Sequence, residues 1–288
     1  MRAALEAATG RRLRASPAEL SAGGGFASCQ RWDSDSGPVF VKVAPVERAA
    51  MLEAEADGLR ELAAARAVRV PAVLGCGRTA GHAFLALEWI EFRSGTSRTE
   101  ALLGEQLARL HRTTASQFGW HRDNTIGATP QHNDWMQHWP AFFARHRLGF
   151  QLDLAARAGH GGRWLDRGHR LCEQLDRFFS DYRPQPALLH GDLWGDNWAA
   201  DASGAPVLFD PATYYGDREA DLAMTHLFGG FGRAFYAAYQ AAWPLDPGAD
   251  QRRDLYNLYH VLNHLNLFGG GYRAQAEAMI ERLLARTS

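Results

Sequence analysis

The run His190-Gly191-Asp192-Leu193-Trp194-Gly195-Asp196-Asn197 sets an acid at 192 and an amide at 197 in a stretch too rich in turn formers to be regular helix or strand. An apolar triplet, Val207-Leu208-Phe209, follows and ends on a second acid, Asp210. A plain turn needs no such set of side chains at these intervals. Phosphoryl transfer does. A catalytic-loop Asp accepts the proton of the attacking hydroxyl, an Asn further along the loop reaches a metal ion, and an Asp at the end of a nearby strand holds the metals that bridge the nucleotide phosphates. On this reading Asp192 is the base, Asn197 and Asp210 are magnesium ligands, and the fold must bring the loop and the strand end together.

Among the 31 Lys and Arg residues, Lys42 is the sole lysine. A chain that uses arginine wherever a charge suffices has a reason to keep one ammonium, which is a compact point charge rather than a planar fork. Lys42 lies in Pro38-Val39-Phe40-Val41-Lys42-Val43, whose alternation reads as a strand. In ATP-dependent transfer such a lysine reaches the nucleotide phosphates and pairs with a helix glutamate. The stretch 46–65, rich in Ala, Leu and Glu with no internal Pro, predicts that helix. Glu55 falls on or beside its apolar stripe and is the expected partner, with Glu53 as the fallback. Upstream, Gly23, Gly24 and Gly25 allow a tight turn to approach phosphates. Glycine loop, strand lysine, helix glutamate, catalytic loop and metal aspartate thus occur in kinase order.

The chain resembles the fructosamine-3-kinase (ketosamine-3-kinase) family, a branch of the aminoglycoside-phosphotransferase-like kinases. The resemblance spans nearly the whole chain. It is carried by Gly37 to Val43, by Asn124-Thr125-Ile126-Gly127 with Gln131-His132-Asn133-Asp134-Trp135, and by Trp139 to Leu148. His190 to Asn197, Asp210 to Asp217 and Leu227-Phe228-Gly229-Gly230-Phe231 complete it. Asp196 stands where the family commonly has Gly, and Phe26-Ala27-Ser28 replaces its usual small or polar run. The resemblance implies phosphorylation of the 3-hydroxyl of ketosamines, fructosamine or ribulosamine adducts of small amines or protein lysines, with ATP and Mg2+. The 3-phosphate then makes the adduct prone to eliminate and release the amine.

The expected fold is α+β and two-lobed, protein-kinase-like. Residues 1–89 form a nucleotide-binding lobe, with a small antiparallel sheet and one main helix, and 90–288 a larger, mostly helical catalytic and substrate-binding lobe. Strands are predicted near 11–15, 27–32, 39–44, 72–77 and 82–88. Helices are predicted at 3–8, 101–111, 135–148, 164–179, 219–228, 232–242, 252–268 and 273–285. Between the lobes, Glu88-Trp89-Ile90-Glu91 reads as a hinge, where the resemblance gives the Glu88 carbonyl and the Ile90 amide to adenine; a plain edge-strand turn is the alternative. At 288 residues and 46% hydrophobic content the chain can bury a sizeable core. A net charge of −1 argues against nucleic-acid binding. No apolar run approaches membrane-spanning length, and the first fifteen residues lack the apolar centre of a secretion signal. Three cysteines without metal-site spacing fit a reducing cytoplasm, and Cys29 lies close to the glycine loop. The twelve histidines are scattered and show no zinc spacing, and His190 is expected to brace the catalytic loop.

For the acceptor, Asn124, Gln131 and Asn133 are candidate contacts in an ordered loop, although such loops are often only turns. Trp194 could stack on a sugar or wedge beneath the catalytic loop. Asp217 either meets substrate or fixes its loop, and Asp221 is expected to bond backbone groups of the catalytic loop. Two further function classes share these residues: a kinase for an aminoglycoside, choline or another metabolite, and a non-catalytic nucleotide-binding scaffold. The sequence leaves the oligomeric state open.

Overall fold

Alternating side chains on a nine-residue strand decide how the N-terminal part is layered. The computed structural model describes residues 1–14, 17–20 and 27–287; Gly23, Gly24 and Gly25 lie outside the described residues. Helix α1 (Arg2–Thr9) precedes β1 (Ala18–Leu20), β2 (Ser28–Ser34) and β3 (Gly37–Pro45). Helix α2 (Ala49–Ala64), β4 (Val73–Arg78) and β5 (His82–Glu88) follow, and the five strands form one antiparallel sheet in the order β1-β2-β3-β5-β4. Val39, Val41 and Val43 pack with Leu5, Trp32 and Phe84 on the face that α1 covers. The pleat sends the next residues to the opposite face, so Ala44 joins Leu52, Ala56, Leu59 and Leu62 of α2, and Lys42 lies on that side.

The rest is mainly helical: α3 (Ser97–Leu110), the hairpin β6 (Asn124–Ile126) and β7 (Thr129–Gln131), then α4 (Trp139–Phe143), α5 (Phe150–Arg157) and α6 (Arg163–Glu173). Short strands β8 (Ala187–Leu189), β9 (Trp198–Ala200), β10 (Pro206–Leu208) and β11 (Tyr214–Gly216) pair as β8 with β11 and β9 with β10. Helices α7 (Arg218–Leu227), α8 (Arg233–Ala242), α9 (Ala249–Phe268) and α10 (Tyr272–Ala285) close the chain. A small antiparallel sheet with one main helix therefore sits against a larger helical part. Residues 89–92 connect them, and Arg93 bridges to Ala200. No helix among the described residues is long and apolar enough to cross a membrane.

Three predicted elements differ, and the helix expected at 164–179 ends at Glu173, with a separate tighter turn over Leu175–Phe179. The expected strand at 11–15 is a single bridge from Leu13 to Ser34, and the sheet edge is β1 instead. The expected helix at 135–148 starts only at Trp139. Met136 and Phe118 exchange backbone hydrogen bonds at 2.8 Å, which holds that stretch extended, and Pro140 opens the helix at a position where no N–H is needed. A widened turn, Ala144–Gly149, then passes into α5.

Helices α3 and α8 meet at Gly104, where a Cβ would lie 2.3 Å from the Phe235 carbonyl oxygen. Gly104→Ala should therefore push the pair apart and destabilise the fold by about 1–3 kcal/mol, lowering Tm by several degrees. Thermal unfolding of this variant beside Gly81→Ala, whose Cβ would meet nothing within 4 Å, checks it; equal melting of the two would show that the helix pair has slack.

Candidate active site

Strand β3 and helix α2 meet through a buried ion pair. Lys42 Nζ lies 2.7 Å from Glu55 Oε1 and 2.7 Å from Asp210 Oδ1. Burial alone would lower the lysine's affinity for its proton, but Glu55 and Asp210 outweigh it and hold the ammonium above the ordinary lysine value. The fallback, Glu53, faces away and binds Arg78 of β4 at 2.7 Å. Helix α2 also touches the stretch after Asp210, since a Cβ on Gly58 would lie 3.0 Å from the Thr213 hydroxyl.

Asp210 has φ of +56°, in the left-handed region that non-glycine residues seldom adopt. The catalytic-loop stretch holds it there from both sides. Phe209 N–H donates to the Asn197 carbonyl at 3.1 Å, and Ala212 N–H donates to the His190 carbonyl at 2.9 Å. His190 Nε2 donates to the Phe209 carbonyl at 2.9 Å while its Nδ1 accepts from Asp192 N–H at 3.3 Å. Burial keeps that ring neutral by lowering its pKa, and the two bonds select the Nε2–H tautomer. Gly191 has φ of +84°, and a Cβ there would strike the Ala212 carbonyl oxygen at 2.1 Å. Beneath the loop, Asp221 of α7 accepts from the backbone N–H groups of His190 at 2.7 Å and Gly191 at 2.8 Å. His111 Nε2 lies 3.2 Å from the same carboxylate. These donors hold its pKa below the ordinary value although burial alone would raise it.

Asp192 is half-buried at the mouth of this arrangement. Burial first, and the negative charge of Asp210 second, push its pKa up to about 7, against the hydrogen bond from Asn197. Asn197 donates from Nδ2 to the Asp192 carbonyl at 2.8 Å and to Asp192 Oδ2 at 3.2 Å. Its side-chain oxygen is thereby left for another partner. Asp210, with 48% of its side chain exposed, has Oδ1 on Lys42 and a second oxygen for a ligand. Two oxygen donors of this kind suit magnesium, which takes few protein ligands when phosphates and water complete its shell. Among the described residues no group of three His, Cys, Asp or Glu side chains is placed to hold an ion.

Glu88 ends β5, and its carboxylate accepts from Arg69 at 2.6 Å, so only its backbone is directed along the connection to half-buried Ile90. Trp194 is half-buried at the start of the turn Gly195–Asn197, its ring edge toward Phe228. The other four acceptor candidates face inward, which corrects their assignment. Asn124, Gln131 and Asn133 are buried and bonded to one another. Asn124 donates to the Thr213 carbonyl at 2.8 Å, Gln131 donates to the Ala212 carbonyl at 3.0 Å and accepts from Tyr259, and Asn133 accepts from Arg147 at 2.7 Å. Having spent these groups on the chain, the three amides position residues 212–213 rather than meet a ligand. Asp217 is fully buried, accepts from Tyr182 and Tyr256, and caps α7 through Glu219 N–H. It fixes the helix that carries Asp221. Sequence reading overlooked His111 and Arg147; a buried arginine held by carbonyls and the Tyr214 ring has no local sequence signature.

The profile of the fructosamine kinase family matches residues 1–286. A probable ketoamine kinase of Synechocystis sp. is 50% identical over 85% of this chain and 82% of its own length. The chloroplastic protein-ribulosamine 3-kinase of Oryza sativa subsp. indica is 42% identical over 91% of this chain and 77% of its own length. The crystal structure of a putative fructosamine-3-kinase from Thermobifida fusca superposes with a TM-score of 0.89 at 32% identity, covering 99% of this chain and 98% of that one.

The raised Asp192 pKa has a measurable sign. A carboxyl whose folded-state value lies above its unfolded value favours folding when protonated, and that contribution is lost as pH rises toward about 7. Asp192→Asn mimics the protonated form. Its stability advantage over the parent should grow by about 1–3 kcal/mol between pH 5 and pH 8, read from denaturant melts at the two values. A constant difference would mean that Asp192 ionises normally.

Proposed function

The chain belongs to the fructosamine kinase family, and we propose that it transfers the γ-phosphoryl group of ATP to the 3-hydroxyl of ketosamines, fructosamine or ribulosamine adducts on small amines or protein lysines. The observation that carries the transfer chemistry is Lys42, held at 2.7 Å each by Glu55 and by Asp210, whose neighbours Phe209 and Ala212 bond the backbone of the Asp192 loop. The ketosamine acceptor is supported by the ketoamine and ribulosamine kinases to which the chain is similar.

In this reading Lys42 places a compact positive charge against the nucleotide phosphates, and Glu55 fixes where that charge points. Asp210 and the side-chain oxygen of Asn197 would hold magnesium, which neutralises charge on the transferring phosphoryl group when it is bound with nucleotide. Asp192 orients the acceptor hydroxyl and takes its proton. A pKa near 7 suits this task, because the group is substantially ionised at neutral pH yet still basic enough to accept a proton. Asn197, bonded to Asp192 Oδ2, keeps the carboxylate from rotating away. We assign the backbone of Glu88 and Ile90 to adenine and Trp194 to the sugar; the resemblance assigns Gly23 to Gly25, outside the described residues, to the phosphates. Residues 1–89 then act as the nucleotide lobe and 90–288 as the catalytic and acceptor lobe.

Replacing Asp192 by Ala should lower kcat by roughly 10² or more while ADP affinity stays within a few-fold, because the lost group acts on the nucleophile. Steady-state kinetics beside calorimetric ADP titration check this; near-normal turnover would give the base to another residue. Lys42→Arg keeps the charge but not the point geometry, and should cost roughly 10² in kcat/KM with the melting curve little changed.

The acceptor is tested by phosphorus NMR of products from a ribulosamine, a fructosamine, the free sugars, kanamycin and choline. The ketosamines should be preferred over the free sugars by at least about 10², since the amine substituent supplies binding energy that aligns the reacting hydroxyl. A better rate on kanamycin or choline, or phosphate on an oxygen other than that of C3, overturns the ketosamine assignment.

A further inference from the structure

Exposed aromatic rings on a folded chain are few, and their placement carries information. The exposed large hydrophobic side chains among the described residues are Phe92, Trp135, Phe228 and Phe268. Phe92 stacks on Phe209 beside Asp210, and Trp135 leans on Tyr215. The other two belong to a continuous run of rings that starts at the catalytic loop. Trp194 meets Phe228 at 6.1 Å between centroids, Phe228 meets His264 at 4.7 Å, and His264 meets Phe268 at 5.5 Å and Tyr272 at 5.2 Å. Phe228 is 40% and Phe268 62% exposed, while Trp194, His264 and Tyr272 are half-buried between and beside them. Exposed charges flank the run at its ends, Asp196 beside the Trp194 turn and Arg273 after Tyr272.

This surface is seated on the catalytic loop. The turn after Phe228 presses so closely that a Cβ on Gly230, where φ is +94°, would lie 2.4 Å from Gly195 Cα. Trp198 Nε1 donates to the Gly230 carbonyl at 3.2 Å. At the far end His264 Nδ1 bonds the His260 carbonyl at 2.8 Å, which fixes the ring that both Phe228 and Phe268 touch. The run is thus a wall leading away from Asp192.

We propose that this aromatic wall binds the carrier of the ketosamine, and that the favoured carrier is a polypeptide stretch with apolar or aromatic residues flanking the modified lysine. The inference rests on the ketosamine reading above. A ketosamine hydroxyl cannot approach Asp192 without bringing its amine along, because the amine leaves the sugar from C1, close to the reacting C3. Whatever the amine is attached to must pass over the surface next to Trp194. A ring-lined surface gains most from burying apolar side chains and little from a glycine-rich stretch, and Asp196 beside Trp194 disfavours an acidic one.

The test compares kcat/KM for ribulosamine adducts on methylamine, on a lysine peptide with Phe and Leu flanks, and on the same peptide with Gly and Asp flanks. The apolar-flanked peptide should exceed the Gly/Asp-flanked one by about tenfold, which corresponds to about 1.4 kcal/mol. Phe228→Ser with Phe268→Ser should bring that ratio close to one, and Phe268→Ser alone, at the most exposed ring, should reduce it by several-fold without touching the core. Rates on the methylamine adduct normalise every variant for folding and chemistry. Equal rates on the two peptides, or a ratio that survives both substitutions, overturns the carrier site while leaving the ketosamine reading in place. Failure to phosphorylate any ketosamine, the methylamine adduct included, overturns both. If gel filtration shows a dimer that Phe268→Ser dissociates, the wall is a contact between copies and the carrier proposal falls.

Discussion

A buried ammonium must have anions beside it, and Lys42 takes its two from parts of the chain that fold as different layers. Glu55 comes from the helix over the sheet, and Asp210 from the far side of the cleft. Removing either carboxylate would leave a desolvated charge short of a partner, which is more costly than the pair is stabilising. The sheet, helix α2 and the segment after β10 are therefore fixed relative to one another by the group proposed to meet the nucleotide phosphates.

The catalytic loop is held by a different device. Its backbone cannot form a regular ladder, so its N–H groups find side-chain acceptors instead. One Asp221 oxygen serves His190 N–H and the other serves Gly191 N–H, and Asp221 is in turn set by the start of α7, where Asp217 caps the helix. Two tyrosines donate to Asp217, and His111 meets Asp221. A chain of buried polar groups thus runs from the helices to the loop, each satisfied by the next. The strained φ at Asp210 persists because bonds to Phe209 and Ala212 on either side leave the backbone little choice.

Much of this was legible in the residues, and the limits follow from range. The Lys42 strand and the Glu55 helix were readable because burial there repeats with a local period, and the choice between Glu55 and Glu53 was right because the apolar stripe orients the helix. The loop and Asp210 stood out because phosphoryl transfer would need such groups at that spacing, and the fold does bring Asn197 to Asp192 and Asp210 to Lys42. Asn124, Gln131 and Asn133 were assigned to the acceptor, and Asp217 was left between acceptor and loop, for the opposite reason. A polar side chain looks the same in sequence whether it faces a ligand or is satisfied inside, and their partners, Thr213, Tyr259, Arg147 and Tyr256, are distant in the chain. The start of the helix at Trp139 was missed because a ladder with Phe118, again non-local, claims the preceding residues.

The same long-range contacts decide how the two parts of the molecule are coupled. Helix α2 belongs to the N-terminal sheet, yet much of what it touches beyond Lys42 belongs to the other part. Arg122 donates to Asp57 at 2.6 Å, Tyr215 donates to Glu61 at 2.6 Å, and Gly58 lets the helix sit against Thr213. Each partly exposed contact is worth little alone. They lie on successive turns of one helix, however, and a rotation that withdrew Glu55 from Lys42 would have to break them together. Contacts with a common axis add because they oppose the same motion, so the Lys42–Glu55 pair is part of the packed fold. The aromatic run, which begins at Trp194 two residues after Asp192, carries exposed rings and left-handed glycines at 229 and 230. On the proposed function the α2 side would meet the nucleotide and the ring side the group that carries the acceptor hydroxyl, so the more tightly packed side would face the constant substrate and the more open one the variable substrate.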